Sequence, residues 1–473
     1  MIKVLSVASE CAPLIKTGGL ADVAGALPGA LAAHGVEMRT LLPGYPAVLA
    51  ALDAGRVIGS FECFGGAGRL LSGDAAGLDL LVLDAPHLFD RDAGLYLDAA
   101  GKDWPDNPER FAALCRVAAD IAGGTLGDWA PDLVHCHDWQ AGLVPYYLTR
   151  DAVPVPSVLT IHNVAFQGLV SMDRADALGI AKADLTREGV EYWGQISALK
   201  AGLIRADHLT TVSPTYAREL MTAEFGMGLD GVLRARRADL SGILNGIDLD
   251  VWSPSVDTHV RPYKTPRGKA ANKTALRTEF GLPEADGPLC VVVSRLTAQK
   301  GLDLLLEALP ALLGHGGQLA LLGSGDPGLE AAFANYDHPH VAARIGYDEA
   351  LSHRMMAGGD AILVPSRFEP CGLTQLYGLQ YGTLPVVALT GGLADTVVPA
   401  TPATMVKGLA TGLQFHPVTA NALTNALIQL CDLFEQPKIW SKMQRNAMAH
   451  PVGWAPSAAA YAALYSDLLE AAG

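Results

Sequence analysis

Positive charge is scarce in this chain of 473 residues. Its 34 Lys and Arg residues stand against 49 Asp and Glu residues, which gives a formal net charge of −15. A surplus of negative charge argues against nucleic acid or an anionic membrane as the main partner. Charged residues make up only 18% of the chain and apolar residues 50%, and glycine is plentiful at 51 positions. That composition is typical of a compact α/β protein and excludes a largely disordered chain.

Paired cysteines and long apolar runs are also missing. The seven cysteines are scattered, and no two of them form a C-x-x-C pair. No apolar run approaches the roughly 18 residues of a membrane helix, and residues 1–8 resemble a first strand rather than a secretory signal. We therefore expect reduced cysteines, no membrane partner and a cytoplasmic location.

Strand-like and helical runs alternate along the chain, which predicts parallel sheets with crossover helices. The length allows two domains, and the polar segment Val251–Gly287 separates two series of strands. We place the boundary near Asn245, which gives domains 1–245 and 246–473. The final helix, Ser457–Glu470, either caps the second domain or crosses back onto the first. The clearest predicted strands are Lys3–Ala8, Leu78–Leu83, Leu133–Cys136, Ser157–Ile161, Leu209–Val212, Pro288–Ser294, Gln318–Leu322, Val341–Ile345, Ala361–Pro365 and Pro385–Leu389.

One six-residue motif occurs twice. Thr17-Gly-Gly-Leu-Ala-Asp22 recurs as Thr390-Gly-Gly-Leu-Ala-Asp395, and each copy follows a predicted strand and opens a predicted helix. Glycine, alanine and leucine are common here, so chance is the alternative explanation. Identity at six positions in the same predicted setting favours two related halves.

A carboxylate and two cations stand out in the second half. Glu369 lies between the buried strand Asp360–Pro365 and a helix start, where open α/β sheets bind ligands. A carboxylate there would repel a phosphate, so we expect it to bind hydroxyl groups. Arg295 and Lys300 lie in another strand-to-helix loop and could neutralise a diphosphate. The alternative is a solvated pair on the surface.

The first half carries comparable candidates at its predicted strand ends. Lys16 precedes Gly18 and Gly19, a glycine pair that lets the backbone approach a ligand while the lysine reaches a phosphate. A plain turn with a surface lysine is the alternative, and Asp22 is equally suited to capping a helix or binding a hydroxyl. Asp138 and His162 each follow a strand and are candidates for binding a sugar, although a structural histidine is a fair alternative.

Two further patterns point elsewhere. Gly323-Ser-Gly-Asp-Pro-Gly328, with Asp348 twenty residues beyond, matches a dinucleotide fingerprint. It falls in the second βα unit of its half and contains Pro327, so we favour a nucleotide-contacting or structural turn over NAD binding. His135-Cys-His137 resembles a metal cluster, but no second ligand group with zinc-like spacing follows it. No metal site is expected.

Several of these motifs, with others, occur in a distinctive order along nearly the whole chain. They are Lys16-Thr-Gly-Gly-Leu20, His137-Asp-Trp139, His162-Asn163, Asn245-Gly-Ile-Asp248, Ser294-Arg-Leu-Thr-Ala-Gln-Lys-Gly301, Ser366-Arg-Phe-Glu-Pro-Cys-Gly-Leu373 and Thr390-Gly-Gly-Leu-Ala-Asp-Thr396. Each motif alone is weak, but the ordered set is specific. Through this ordered set of motifs, the chain resembles the bacterial glycogen synthases.

The resemblance implies two Rossmann-like α/β domains whose parallel sheets face each other across a deep cleft, the GT-B arrangement. It implies transfer of glucose from ADP-glucose to the non-reducing end of an α-1,4-glucan such as glycogen, with retention and with neither a cofactor nor a metal ion. By the same resemblance, Arg295 and Lys300 hold the diphosphate, Tyr347 stacks on the adenine, and Lys16 contacts the donor. The transferred glucose and the acceptor would meet Glu369, His162 and Asp138. The remaining implied donor-binding positions are Gly18, Gly19, Asp22, Asn245, Cys371, Gly372, Leu373 and Thr374.

These residue types suit the implied reaction. Cations fixed in place stabilise the negative charge that grows on the departing diphosphate. Retention favours attack by the acceptor on the face from which ADP departs, with an enzyme nucleophile as the alternative. Three other functions stay open: a related transferase that uses UDP-glucose or a starch-type acceptor, an NAD-dependent oxidoreductase, and a glycogen-binding protein without catalysis.

Overall fold

The computed structural model describes residues 1–472, which divide into two compact units. Unit 1 contains residues 1–245 together with the chain from Trp454 onward, and unit 2 contains Gly246–Gly453. The chain therefore passes between the units twice, after Asn245 and after Gly453. Among residues 1–472, no helix combines the length and the apolar character needed to span a bilayer.

Unit 1 is built on a nine-stranded sheet. The strands of this unit are β1 (Ile2–Val7), β2 (Val36–Pro43), β3 (Asp53–Cys63), β4 (Gly66–Ala75), β5 (Leu78–Asp84), β6 (Leu133–His137), β7 (Ser157–Ile161), β8 (Leu169–Ser171), β9 (Glu191–Tyr192), β10 (Gln195–Ser197), β11 (His208–Thr211) and β12 (Leu240–Gly242). The large sheet has the order β12-β11-β7-β6-β1-β2-β5-β4-β3, and its strands are parallel except at β3 and β4. The order reverses between β1 and β6. Strands β8, β10 and β9 form a small antiparallel sheet.

Unit 2 is built on a six-stranded sheet that is parallel throughout. Its strands are β13 (Leu289–Val293), β14 (Gln318–Gly323), β15 (Val341–Ile345), β16 (Ala361–Val364), β17 (Leu384–Ala388) and β18 (Leu413–Phe415). Their order is β15-β14-β13-β16-β17-β18. This is the Rossmann order, and it reverses between β13 and β16.

Helices connect the strands of both sheets. In unit 1 they are α1 (Gly19–Ala32), α2 (Pro46–Ala51), α3 (Pro86–Phe89), α4 (Asn107–Ala122), α5 (Leu143–Arg150), α6 (Ala198–Arg205), α7 (Pro214–Glu219) and α8 (Asp230–Ala235). In unit 2 they are α9 (Lys269–Phe280), α10 (Leu302–Gly314), α11 (Pro327–Ala334), α12 (Glu349–Gly358), α13 (Thr374–Tyr381), α14 (Gly391–Thr396), α15 (Pro402–Lys407), α16 (Ala420–Phe434) and α17 (Pro437–Met448). The last helix, α18 (Ala455–Ala472), belongs to unit 1.

Helix α18 joins unit 1 because its aromatic side is buried there. Tyr461 and Tyr465 are fully buried in a cluster with Val4, Leu27 and Leu133 from the core of that unit. Unit 2 consequently ends at Gly453, and the residues after it pack on the first sheet.

Most strands predicted from apolar runs lie within one or two residues of the observed ones, and β7 and β15 coincide with their predictions. The long hairpin of β3 and β4 was not predicted, since β3 is mostly exposed and carries no continuous apolar run. The segment Val251–Gly287, predicted as a plain connection, contains α9. Its buried side chains Lys269, Asn272 and Leu276 pack that helix into unit 2.

The two copies of the six-residue motif hold different places in their sheets. The first opens α1 after β1, the first strand of its sheet, whereas the second opens α14 after β17, the fifth strand of its sheet. They share a local geometry, a strand end followed by a helix start. Their positions do not correspond, so the motif does not mark equivalent points of two related halves.

A buried lysine at the start of α9 ties several elements of unit 2 together. Lys269 Nζ donates to the carbonyl oxygens of Ala357 at 2.8 Å, Tyr381 at 3.0 Å and Met356 at 3.1 Å, and to the Thr383 hydroxyl at 2.8 Å. An ammonium group has only three protons, so these four oxygens share its hydrogen bonds.

Replacing Lys269 with methionine should destabilise unit 2 by about 3 kcal/mol, because carbonyl oxygens at the ends of α12 and α13 would lose a buried donor. Burial lowers the pKa of Lys269 to about 7, so urea unfolding is best compared near pH 6, where the ammonium is charged. Lys264→Met, at an exposed position of the same segment, is the matched control. Equal unfolding midpoints for the two variants would contradict this role.

Candidate active site

The strand reversal in unit 2 creates a pocket of about 200 Å³ at the carboxyl ends of β13 and β16. Crossover helices diverge at such a point, which leaves the strand ends open to a ligand. Six of the residues singled out in the sequence line this pocket: Arg295, Lys300, Glu369, Gly372, Leu373 and Thr374.

Glu369 and Lys300 form an ion pair inside this pocket. Lys300 Nζ lies 2.5 Å from Glu369 Oε2, and both side chains are largely buried. The Ser366 hydroxyl donates to the same carboxylate oxygen at 2.9 Å. Gly301 allows the loop that carries Lys300 to pack closely against the backbone at Pro365. Its φ is +65°, and a Cβ atom there would lie 2.1 Å from the Pro365 oxygen.

Arg295 is exposed at the edge of the pocket, and the glycine-rich motif after β14 supports its loop. A Cβ atom at Gly323 would lie 2.0 Å from the Ser294 oxygen, and the Leu296 amide donates to the Ser324 carbonyl at 2.8 Å. The motif therefore packs against the loop that carries Arg295.

Two aspartates of the apparent dinucleotide fingerprint cap helices. Asp326 accepts from the Leu329 amide at the start of α11, and Asp348 accepts from the Leu351 amide at the start of α12. Asp348, the residue expected to bind a ribose in an NAD site, is thus committed to a helix cap. These contacts favour the structural turn over NAD binding.

Hydrogen bonds from one side chain and from one backbone amide hold the loop before α13 in place. Gln375 Nε2 donates to the carbonyl oxygens of Cys371 and Gly372, both at 3.0 Å. The Gly392 amide of the second motif donates to the Glu369 carbonyl at 3.1 Å. A Cβ atom at Gly391 would lie only 1.9 Å from that same carbonyl oxygen, so the glycine lets α14 touch the loop.

Tyr347 is not among the residues that line this pocket. It lies between β15 and α12 with 82% of its surface exposed, and its hydroxyl hydrogen-bonds with Glu349. Cys371 is buried beside the pocket and does not line it either.

The strand reversal in unit 1 brings a second set of candidates to the ends of β1 and β6. After β1, Lys16 Nζ lies 2.7 Å from Asp22 Oδ1, and both groups are partly exposed. Gly18 and Gly19 have open space beside them, since a Cβ atom added to either glycine would have no neighbouring atom within 4 Å. A ligand can therefore approach this backbone closely.

Asp138 and His162 meet at the ends of β6 and β7. Asp138 adopts a positive φ of 54°, which is strained for a residue other than glycine, and is buried. Its Oδ1 accepts from the His162 amide at 2.6 Å and from the Asn163 amide at 3.3 Å. Burial raises the pKa of its carboxyl to about 7, although these two amides act in the opposite direction.

The other histidine pattern of the sequence serves the core. His135 and His137 lie on one face of β6 with ring centroids 4.3 Å apart, and both are fully buried. Within residues 1–472, no group of three or more His, Cys, Asp and Glu side chains is arranged as a metal site. Asn245 is buried at the last position before unit 2 and lines neither the unit 2 pocket nor the groove described next.

A groove of about 820 Å³ runs over unit 1. Aromatic side chains line it, among them Trp104, Trp139, Phe166 and Tyr192. Phe166 is 57% exposed, and Trp139 directly follows Asp138 in the chain. Aromatic faces with polar neighbours are suited to binding sugar rings.

Glu10 is a site residue that the sequence motifs did not single out. Its buried carboxylate accepts from the Thr17 amide at 2.5 Å and from the Gly18 amide at 3.1 Å, and Tyr96 donates to it at 3.0 Å. It therefore shapes the loop that carries Lys16. The available signal was a carboxylate three residues after β1, at the strand end next to the reversal.

Family models match both parts of the chain. Residues 3–235 match the starch synthase catalytic domain, and residues 274–447 match glycosyl transferases group 1. The matches cover most of unit 1 and most of unit 2, respectively.

Whole-chain relatives extend this agreement. The chain is 64% identical to a glycogen synthase of Paracoccus denitrificans (strain Pd 1222), over 99% of this chain and 100% of the relative. It is 61% identical to a glycogen synthase of Jannaschia sp. (strain CCS1), over 98% and 99% of the two chains. Its structure resembles the catalytic domain of starch synthase IV from Arabidopsis thaliana, solved with ADP and acarbose, with a TM-score of 0.87, 30% identity and 99% coverage of both chains.

The expected fold class, two parallel α/β sheets of the GT-B type, is confirmed by this structural likeness. Relatives of such identity over nearly the full length establish the family. The chain belongs to the glycogen synthases, which are glucosyltransferases.

Proposed function

We propose that this chain transfers glucose from ADP-glucose to the non-reducing end of an α-1,4-glucan, with retention of configuration. The observation that carries the proposal is the pocket at the strand reversal of unit 2, which combines Arg295, Lys300 and Glu369. Two cations and one carboxylate match a donor that consists of a diphosphate and a sugar. The ADP held by the related starch synthase IV supports the choice of base.

In unit 2 we assign Arg295 and Lys300 to the diphosphate and Glu369 to the hydroxyl groups of the transferred glucose. The amides of Gly372, Leu373 and Thr374 would add hydrogen bonds at the start of α13, where the helix dipole favours negative charge. Cys371 would contribute only its backbone, because its side chain is buried. Tyr347, on the exposed loop before α12, would stack on the adenine.

In unit 1 we assign Lys16 to the donor, together with the open backbone at Gly18 and Gly19. Asp22 would hold Lys16 in position, as it does in the structure. Asn245 keeps a buried Oδ1 without a hydrogen-bond partner among residues 1–472, which suits a donor-binding role. Asp138 and His162 would bind the glucose and the acceptor.

The chemistry follows from where charge develops. Cleavage of the glucose–phosphate bond leaves negative charge on ADP and positive charge on the sugar ring. Arg295 and Lys300, already in place, stabilise the leaving charge as it grows. The acceptor hydroxyl would attack from the face that ADP leaves, and the departing phosphate would take its proton. Trapping a covalent glucosyl-enzyme would instead establish a nucleophile in the protein.

The aromatic groove of unit 1 is our candidate for the glucan chain. Its walls include Trp104, Phe166 and Tyr192, and its volume exceeds what one sugar ring needs. The chain would act in the cytoplasm, where its seven buried cysteines stay reduced.

Labelled glucose from ADP-glucose should enter glycogen when the purified protein is present, and UDP-glucose should compete poorly. Arg295→Ala should lower kcat by roughly 10²- to 10³-fold, since one donor to the developing charge is lost. Because the two cations supply the positive charge, we expect the transfer to persist in EDTA.

Arg267→Ala, at an arginine of unit 2 that does not line the pocket, is the matched control and should retain full turnover. Co-sedimentation with glycogen should be the same for both variants. Equal turnover in Arg295→Ala and the control would remove Arg295 from the reaction. Glycogen binding without any incorporation of label by the wild-type protein would favour a binding protein without catalysis. Preference for UDP-glucose would remove the ADP assignment.

The pH profile should report Asp138. Its carboxyl, with a pKa raised to about 7, is protonated on the acid side and ionised on the alkaline side. An ionised carboxylate is the better acceptor for sugar hydroxyls, so kcat/KM for glycogen should rise between about pH 6 and about pH 8. Asp138→Asn should lower kcat/KM and flatten this rise, whereas Asp176→Asn, at an exposed position of unit 1, should keep it. An unchanged profile in Asp138→Asn would assign the rise to another group.

Phe166→Ala should raise the KM for glycogen by roughly two- to tenfold, because an exposed aromatic face for sugar stacking is lost. The KM for ADP-glucose should stay the same. Val256→Ala, at a position that is also 57% exposed but lies in unit 2 and outside the groove, is the control. Equal KM values for glycogen in the two variants would remove the groove from the acceptor path.

A further inference from the structure

A line of hydrogen bonds links a buried serine to the candidate sugar-binding histidine of unit 1. Ser6 Oγ lies 3.2 Å from His137 Nε2, and His137 Nδ1 lies 3.0 Å from His162 Nε2. All three residues are at the ends of neighbouring strands, β1, β6 and β7. The line ends at the Nδ1 atom of His162.

The two histidines of this line are neutral. Burial lowers the pKa of His137 to about 3, and burial together with the neighbouring His137 holds the pKa of His162 well below its usual range. Asp138 bonds to the backbone amide of His162 and makes no hydrogen bond to its ring. Each imidazole therefore carries one N–H, and the hydrogen bond between the rings allows only two arrangements.

Ser6 decides between these arrangements. Its hydroxyl is 1% exposed, and His137 Nε2 is its hydrogen-bond partner in the part of the chain that the structure describes. If the hydroxyl donates to Nε2, His137 is protonated at Nδ1 and donates to His162 Nε2. In the reverse arrangement, His137 donates to Ser6 and the buried hydroxyl proton has no acceptor. An unsatisfied buried donor disfavours that arrangement by roughly tenfold.

The first arrangement leaves the proton of His162 on Nδ1. No atom among residues 1–472 hydrogen-bonds to Nδ1, and the side chain keeps a residual exposure of 9%. This nitrogen can therefore meet a ligand as a hydrogen-bond donor.

We propose that Ser6 and His137 are positioning residues that hold His162 in its Nδ1–H form, so that His162 donates a hydrogen bond to a sugar oxygen and does not act as a base. The part that concerns the sugar rests on the function proposed above. The direction of the hydrogen bonds rests on the burial and pairing of Ser6 alone.

The neighbouring His135 provides an internal control. Its ring packs against that of His137 at a tilt of 35°, and its Nδ1 lies 2.8 Å from the Tyr465 hydroxyl of α18. Tyr465→Phe removes one hydrogen bond from the same buried cluster and leaves the line from Ser6 to His162 intact. Loosened packing would affect both Tyr465→Phe and Ser6→Ala, whereas only Ser6→Ala would change the tautomer of His162.

The tautomer can be read directly by nitrogen NMR of the full chain labelled with ¹⁵N in its histidine rings. His162→Gln identifies the two signals of His162 by their disappearance. We expect Nδ1 to appear as a protonated nitrogen and Nε2 as an unprotonated one. In Ser6→Ala the two arrangements each leave one nitrogen of His137 unsatisfied, so the His162 signals should move toward a mixture. Tyr465→Phe should keep the wild-type pattern.

Kinetics provide the second readout. Ser6→Ala should lower kcat by roughly two- to fivefold while the KM for ADP-glucose stays constant, because a fraction of the enzyme presents the wrong tautomer. Tyr465→Phe should keep both constants.

Three results would overturn the proposal: a protonated Nε2 in the wild type, protons on both nitrogens, or an Nδ1–H signal that is unaffected by Ser6→Ala. If Ser6→Ala does not fold, the wild-type spectrum still decides the direction of the hydrogen bonds. An Nδ1–H form in a protein that transfers no glucose would leave the hydrogen-bond line standing and would refute only the proposed function.

Discussion

The reversal of strand order in each parallel sheet is the constraint on which the candidate sites depend. On either side of a reversal the crossover helices lie on opposite faces of the sheet, so the strand ends between them stay uncovered. Two loops then face one crevice. In unit 1 these loops carry Glu10 and Asp138, and in unit 2 they carry Arg295 and Glu369. The same topological step thus places polar side chains at the strand ends of both sheets.

The two lysines at these strand ends are each paired with a carboxylate of the chain. Lys300 is paired with Glu369, and Lys16 with Asp22. The first pair is largely buried, where an isolated charge would be strongly unfavourable. Each charge of the pair offsets the desolvation cost of burying the other. The second pair is partly exposed and contributes little to stability, which leaves Lys16 able to exchange its partner for a ligand. Arg295 is the exposed cation of the unit 2 pocket.

Glycines in the two copies of the repeated motif serve opposite purposes. Gly18 and Gly19 leave empty space beside the backbone, whereas Gly391 and Gly392 are pressed against the loop that carries Glu369. One copy therefore keeps room for a ligand, and the other fixes a neighbouring loop. Identical residues take different roles because the surrounding strands differ, β1 in one case and β17 in the other.

The sequence by itself determined the alternation of strands and helices and the family, because apolar runs and the order of motifs can be read along the chain without knowledge of its tertiary contacts. It also singled out Arg295, Lys300 and Glu369, since each follows a buried strand. Only the tertiary structure decided that these three share one pocket, that Asp348 caps a helix, and that α18 returns to unit 1. Those outcomes depend on which strands become neighbours. Contacts between residues far apart in the chain, such as Ser6 with His137, leave no local pattern from which to predict them.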